Sequence, residues 1–285
     1  MRMSAAETIL SSKDVTGAQS HSVQRLVKHL VYFSGGVCSW AAAKLVVQRH
    51  GPENTVLLFA DTKMEDEDLY RFLDEAAENV GAPLVKIADG RTPWEVMRDE
   101  KLLANTRMDA CSKILKRELL DRWTREHCDV ETCTLHFGLD WTEYCRLQRI
   151  QERKAPWKVA SYTATEKPLL AKPQMLEWLK REGIEPPRLY SYGFPHNNCG
   201  GFCVKAGQAH FALLLRIMPE RYRYHEKQEN ELRALLGWRQ TILRDATGGK
   251  VKPITLTEFR ERIEQQQTFD TFDWGGCGCA LPEGA

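Results

Sequence analysis

Two sets of residues in this chain are of types and spacings that do chemistry. The first is Ser34-Gly35-Gly36-Val37-Cys38-Ser39, where glycines and hydroxyls crowd one short stretch. Glycines let the backbone come close to a ligand, and hydroxyls with main-chain N–H groups hold phosphate oxygens. No Gly-Lys-Ser/Thr follows, which excludes a P-loop of the GxxxxGK[ST] kind. The second set is five thiols, Cys111, Cys199, Cys203, Cys277 and Cys279. Thiolates are soft ligands, and four of them suit Zn²⁺ or a [4Fe–4S] cluster. Gly200, Gly201, Gly275, Gly276 and Gly278 allow the chain to wrap closely round an ion. A dithiol redox pair at the tail, or inert thiols, are the alternatives. Cys128, Cys133 and Cys145 fall in helix or strand patterns and read as core or surface thiols.

The first set needs a strand before it and a helix after it. The apolar run Leu30-Val31-Tyr32-Phe33 supplies the strand, and about Trp40–Arg49 reads as the helix, so the helix dipole points its positive end at the loop. Thr55–Ala60 is a second strand ending at Asp61-Thr62. Glu65–Val80 reads as an amphipathic helix with Leu69, Phe72, Leu73 and Ala76 on one face. Ala82–Ile87 is a third strand, Thr92–Arg98 a short helix, Ser112–Glu126 another helix, and Thr132–Gly138 a fourth strand ending in Leu139-Asp140-Trp141. The alternation predicts an α/β fold, a parallel sheet with helices on both faces. Ligands of such sheets bind beyond the carboxyl ends of strands, where Gly35, Asp61 and Asp140 all fall. Pro168–Gly183 reads as a helix, Arg188–Phe202 is rich in aromatics, Pro and Gly, and 206–236 is helical. The end, Phe269–Ala285, is rich in Gly and Cys. The expected organisation is a flexible lead-in over 1–28, a nucleotide-binding α/β domain over 29–190, and a helical Cys-bearing C-terminal region over 191–285.

A chain of 285 residues with 42% hydrophobic content can bury a full core without staples. The formal charge of +1 gives no whole-molecule argument for nucleic acid, though a local patch is compatible with it. No run approaches the length of a membrane span, and residues 1–22 lack the apolar core of a signal peptide. Nine cysteines without a secretory signal fit a reducing compartment, so a cytoplasmic location is expected.

The Ser-Gly-Gly-x-x-Ser spacing of 34–39 resembles the pyrophosphate loop of the PP-loop superfamily, the adenine nucleotide alpha-hydrolase-like fold. The segment PLLAKPQMLEWLKREGIEPPRLYSYGFPHNNCGGFC from Pro168 resembles adenylyl-sulfate and phosphoadenylyl-sulfate (PAPS) reductases. So do Phe59-Ala60-Asp61-Thr62 with Tyr70-Arg71-Phe72, Asp109-Ala110-Cys111-Ser112 with Lys116, and Gly276-Cys277-Gly278. The departures are specific. Gly35-Gly36 keeps the double glycine that these reductases generally lack, and Cys38 replaces the Asp of the usual Ser-Gly-Gly-x-Asp-Ser. Ser112 replaces the second Cys of a Cys-Cys pair, the Cys-x-x-Cys is widened to Cys199-x-x-x-Cys203, and Cys279 replaces a terminal His. The closer resemblance is to reductase-like proteins of phage and mobile elements.

The resemblance implies ATP or a related adenine nucleotide with Mg²⁺, held by Ser34, Gly35, Gly36, Val37, Cys38, Ser39, Asp61, Thr62, Lys116 and Gly138. It points Cys111, Cys199 and Cys203 to positions of cluster ligands, with Cys277 or Cys279 as a fourth ligand, for [4Fe–4S] or alternatively Zn²⁺. It implies adenylation of an acceptor with pyrophosphate release, then sulfur transfer to a nucleic acid or nucleotide, with Asp140, Cys111 and Cys277 as catalytic residues. A sulfur donor such as a cysteine desulfurase or a thioredoxin-like protein would be the partner. Reduction of adenylyl sulfate by Cys277, or a nucleotide-binding, metal-stabilised subunit without turnover, are the other readings. Several of these residues have plainer roles open to them: Asp61 and Asp140 as helix caps, Lys116, Arg107 and Lys113 as solvated charges, Arg146 and Arg149 in surface salt bridges, and His196 as a loop histidine.

Overall fold

The computed structural model describes residues 27–105, 108–237, 240–246 and 250–275. Arg107, Cys277, Cys279 and the lead-in up to residue 26 lie outside the described residues. Strands β1 (His29–Tyr32), β2 (Thr55–Asp61), β3 (Leu84–Ala88), β4 (Thr134–Phe137) and β5 (Lys158–Ala160) form one sheet in the order β3-β2-β1-β4-β5. Every neighbouring pair is parallel, with His29 opposite Thr55 on one side and Thr134 on the other. The expected parallel α/β sheet, covered by helices on both sides, is therefore present. β5 was not expected from the sequence, because three residues are too few to show a period.

The helices are α1 (Val37–His50), α2 (Glu67–Val80), α3 (Pro93–Asp99), α4 (Leu119–His127), α5 (Tyr144–Lys154), α6 (Lys172–Arg181), α7 (Gln208–Ile217), α8 (Pro219–Leu235) and α9 (Leu256–Glu264). The stretch read as one helix over Ser112–Glu126 is instead a turn at Ala110–Ser112, a π-helical segment Lys113–Glu118, and then α4. A π-turn inserts one residue into a helix and leaves no mark on a 3.6-residue pattern.

The chain folds as two compact units. The first takes in the described residues of 27–61, 68–89 and 118–187, with the five strands and α1, α2, α4, α5 and α6. Buried on both faces, its central strands carry continuous apolar runs, Leu57-Leu58-Phe59-Ala60 being the clearest. Helix α1 packs over β1 and β4. Trp40 is fully buried, donating its indole N–H to Asn79 at 3.0 Å and meeting the Trp178 ring edge-on at 4.9 Å.

The second unit takes in the described residues of 62–67, 90–117 and 188–275. It holds α3, α7, α8, α9 and an antiparallel hairpin of β6 (Leu243–Asp245) and β7 (Lys252–Ile254). Helix α3 opens with a capping box of Thr92 and Glu95, and Pro93 at its first turn fixes the entry. Trp94, Phe202, Phe211, Tyr222 and Phe259 dominate the core. The buried Glu229 carboxylate accepts from the amides of Ile242 at 3.0 Å and Leu256 at 2.6 Å, and burial pushes it up to about 7.

The first unit also groups three imidazoles, His136 buried and His29 and His50 half-buried. His29 Nδ1 and His136 Nε2 are 3.0 Å apart, the His29 and His50 rings stack at 3.7 Å, and His50 Nε2 bonds the Tyr162 hydroxyl at 2.8 Å. Arg49 lies over the Tyr162 ring and pairs with Glu166. Burial, then the neighbouring imidazoles, pushes His136 down to about 3, and burial takes His29 down to about 4. Both are lowered from the ordinary 6.5, so the folded chain binds fewer protons than the unfolded chain as pH falls through 6.5. Stability of the first unit is expected to be flat above that pH and to fall continuously toward pH 4. His136 alone accounts for roughly 2 kcal/mol of the loss by pH 5. Denaturant titration of the wild type and of His136→Gln across this range checks it: the variant should show the shallower slope.

Candidate functional site

The loop Ser34–Ser39 joins β1 to α1 at the carboxyl end of the sheet, and Gly138 follows β4 at the same end. These two strands are neighbours, and strand order reverses between them, which is where doubly wound sheets bind their ligands. Gly36 is the N-cap of α1 with extended backbone, and among the described residues no side chain caps this helix. The amides of Ser39 and Trp40 turn back to the Gly36 carbonyl at 3.1 and 3.2 Å. The Ser39 hydroxyl donates to the same carbonyl at 2.8 Å, and the Ser34 hydroxyl reaches Ser39 Oγ at 3.4 Å. Both hydroxyls are thus gathered at one helix N-terminus.

Glycine is required at two points. Gly35 has φ of +75°, and a Cβ there would press on Leu69 at 3.0 Å. A Cβ on Gly138 would lie 2.4 Å from both Cα and N of Ser39. The end of β4 therefore rests directly on the first turn of α1, and only hydrogen fits between them.

Cys38, within the loop, feels the charges of Lys172, Glu143, Asp140 and Arg146. Burial pushes the half-buried Cys38 thiol up to about 12, so it is uncharged at neutral pH. Asp140 is the N-cap of a 3₁₀ turn, Trp141–Glu143, accepting from the Thr142 amide at 2.8 Å, while Glu143 reaches back to the Asp140 amide at 3.3 Å. Glu143 also accepts from Arg146 at 2.5 Å. Arg149 is exposed on α5. Asp61 ends β2, and its carboxylate accepts from the Tyr70 hydroxyl at 2.9 Å. Tyr70, Glu143 and Lys172 were not singled out as site residues. The Asp140-x-x-Glu143 spacing of a capping box was the available signal for Glu143.

Thr62, Lys116 and the three described thiols of the proposed ligand set belong to the second unit. Thr62 donates to Glu65 at 2.9 Å, Lys116 donates to the same oxygen at 3.2 Å, and the Cys199 amide donates to the other carboxylate oxygen at 2.5 Å. Lys116 is buried rather than solvated, with its partner carboxylate 1% exposed. Lys113 is exposed. Arg117 and Lys205 share Asp109, and Arg188 holds Asp66 at 2.8 Å. Glu65, Asp66 and Asp109 were missed as organisers of this unit; Thr62-x-x-Glu65 carried a capping-box spacing. Cys199 sits at φ of +50°, unusual for a residue with a Cβ, in a turn held by that amide bond. The His196 ring stacks on His210, whose Nε2 bonds the Gly201 carbonyl at 2.9 Å. Cys111 and Cys203 are buried and Cys199 half-buried. Among the described residues no group of three or more His, Cys, Asp or Glu is placed to hold a metal ion, and the ligand set with Cys277 and Cys279 extends outside them. Among the described residues, no helix is long and apolar enough to cross a membrane.

A doubly wound parallel sheet with a glycine loop and a helix N-terminus at its switch point defines an α/β protein of the doubly wound class. Residues 28–199 match the family described as the phosphoadenosine phosphosulfate reductase domain, so the chain belongs to that family. It is similar to the crystal structure of phosphoadenylyl-sulfate reductase from Candida auris in a phosphate complex, at 13% identity and a TM-score of 0.42, over 58% of this chain and 78% of that one. No match was found among curated proteins.

Two substitutions test these contacts. Gly138→Ala should destabilise the first unit by about 1–3 kcal/mol through overpacking against Ser39. Glu65→Gln should destabilise the second unit by about 3 kcal/mol, because it leaves the buried Lys116 charge without its carboxylate. Chemical denaturation reads both, and wild-type midpoints would show that the contacts are incidental.

Proposed function

We propose that the chain binds ATP or a closely related adenine nucleotide at the Ser34–Ser39 loop, adenylates an acceptor oxygen with release of pyrophosphate, and then passes sulfur to that acceptor, a nucleic acid or nucleotide. The observation that carries this reading is the loop itself. It offers two serine hydroxyls and an α1 N-terminus without a side-chain cap among the described residues, against the end of β4.

In this reading the acceptor oxygen attacks the α-phosphorus, the bond from that phosphorus to the bridging oxygen breaks, and pyrophosphate leaves into the cradle. Charge develops on the departing oxygens, where Ser34, Ser39 and the dipole of α1 stabilise it. Gly138 lets the end of β4 pack directly against the first turn of α1. Tyr70 fixes the Asp61 carboxylate for a ribose hydroxyl or Mg²⁺. A sulfur nucleophile then attacks the adenylated carbon and AMP departs with the oxygen. The sulfur comes from a donor protein as a persulfide, whose outer sulfur passes to the thiolate of Cys111 or Cys277 as the donor's own thiolate leaves. After that persulfide attacks the carbon, a second thiol cleaves the S–S bond, leaving the thiolated product and a disulfide that an external dithiol reduces. A [4Fe–4S] cluster or Zn²⁺ on Cys111, Cys199, Cys203 and a tail cysteine belongs to the same proposal, and no step depends on it.

Cys38 favours a second reading. A neutral thiol where the usual loop carries Asp supplies no negative charge to a metal–phosphate complex. Nucleotide binding without turnover follows from that. Incubation with γ-labelled ATP, Mg²⁺ and an oligonucleotide acceptor separates the two: labelled pyrophosphate should appear, and Ser39→Ala should slow it by about tenfold or more, the loss of one hydrogen bond to a charged group. Binding without pyrophosphate release supports the second reading. Sulfite from adenylyl sulfate overturns both in favour of reduction.

A further inference from the structure

Among the described residues the first unit exposes three large apolar side chains, Trp141 at 47%, Tyr144 at 49% and Leu169 at 44%. All three lie at the turn that follows β4. Trp141 opens the 3₁₀ turn Trp141–Glu143, and Tyr144 begins α5 directly after it. Side chains three residues apart eclipse in 3₁₀ geometry, so the two rings stand on the same side. The Trp141 amide donates to the Leu170 carbonyl at 3.3 Å, which brings the Leu169 segment alongside. Among the described residues neither ring stacks on another aromatic ring. The turn is held rigidly beneath them by the Asp140 and Glu143 capping box. Trp141 is three residues from Gly138, so chain length alone keeps it within about 11 Å of the contact with Ser39.

The charge around the rings is positive. Helix α5 carries Arg146, Arg149, Arg153 and Lys154 against a single acid, Glu152. Arg146 is paired with Glu143 and Lys154 with Asp121, while Arg149 and Arg153 are exposed on α5 beyond Tyr144. Lys167 and Lys172 flank the Leu169 segment, and the charge of Lys172 is felt at Cys38 in the loop. Half-exposed rings interleaved with cations differ from the core of a protein interface, where charged residues are depleted. They match a strand of unpaired bases, whose faces stack on aromatics while its phosphates meet Arg and Lys. A duplex keeps those faces covered.

We propose that Trp141 and Tyr144 form a stacking platform for a single-stranded nucleic acid, with Arg149 and Lys172 on its phosphates, and that the platform presents this strand as the acceptor to the Ser34–Ser39 loop. This rests on the reading that the acceptor is a nucleic acid, and it adds that the acceptor is unpaired where it binds.

The test titrates the full chain, without ATP, into a fluorescein-labelled oligothymidylate of about 12 nucleotides, within the span of one single-strand groove. Anisotropy reads the affinity across a salt series. Trp141→Ala and Tyr144→Ala should each weaken binding about tenfold, the loss of one stacked base. Arg149→Gln should lower the slope of log affinity against log salt by about 0.7, the loss of one phosphate contact on a single strand. Tyr224→Ala, equally exposed but on α8 in the second unit, should change neither. Both rings are outside the core, so the variants should keep the wild-type denaturation midpoint. Absence of binding by the wild type at low salt, wild-type affinity in both ring variants, or equal binding of the matching duplex overturns the proposal. So does self-association of the wild type that Trp141→Ala abolishes, which makes the face a contact between copies. Pyrophosphate release from ATP alongside ring-independent binding removes the platform and leaves adenylation standing. Ring-dependent binding without pyrophosphate release keeps the platform and removes adenylation.

Discussion

The contact between Gly138 and the backbone of Ser39 is the constraint on which the α/β unit turns. A parallel pair of strands, β1 and β4, delivers two chain ends to the same edge, one continuing into α1 and the other into the Asp140 turn. For both to leave that edge, one must pass within hydrogen-contact distance of the other, and any side chain at 138 would collide with the first turn of α1. The turn that Gly138 packs against has no side-chain cap among the described residues, and it carries the positive end of the α1 dipole.

Around this contact the side chains divide between holding the frame and holding charge. Asp140 and Glu143 satisfy the turn that follows β4, and Tyr70 fixes the Asp61 carboxylate at the end of β2. In the second unit the same economy appears with buried charge. Glu65 takes three donors, from Thr62, Lys116 and the Cys199 amide, and so ties a π-helical segment to the turn that carries Cys199. Burying a carboxylate is expensive unless its lone pairs are met, and three donors meet them. The positive φ at Cys199 is sustained by this arrangement rather than by a local preference of cysteine.

Much of this was legible in the chain. Leu30–Phe33, Thr55–Ala60 and the Ser34–Ser39 loop announce strand, strand and anion turn because apolar runs, glycines and hydroxyls each have one dominant physical use. The parallel sheet followed from them, and the family from the resemblance of the segment that begins at Pro168 and of the motifs at 59–62, 70–72 and 109–116. What the sequence could not show is long-range pairing of charge. Lys116 reads as a phosphate-neutralising or a solvated lysine on a charged helix until Glu65, distant in the chain, is seen beside it. Gly138 reads as a strand end until Ser39 is seen 2.4 Å from its missing Cβ. The π-segment Lys113–Glu118 and the short β5 are invisible to periodicity for a simpler reason: each is shorter than the window over which a period is measured.

Cys38 is where fold and chemistry pull apart. It occupies the first turn of α1, on the loop's own edge, where an aspartate would bring charge. As a thiol pushed up to about 12 by burial it brings none, and the nearest carboxylates, Asp140 and Glu143, are engaged in capping. On the proposed reading, a cation accompanying the nucleotide would be held by the phosphates and by Asp61, with Lys172 as a positive charge felt at Cys38 and Arg146 already paired with Glu143. A cradle that neutralises phosphate by side-chain cations depends less on Mg²⁺ than one built on an aspartate. The exchange of Asp for Cys at 38 is therefore a change in how charge is balanced at the first turn of α1.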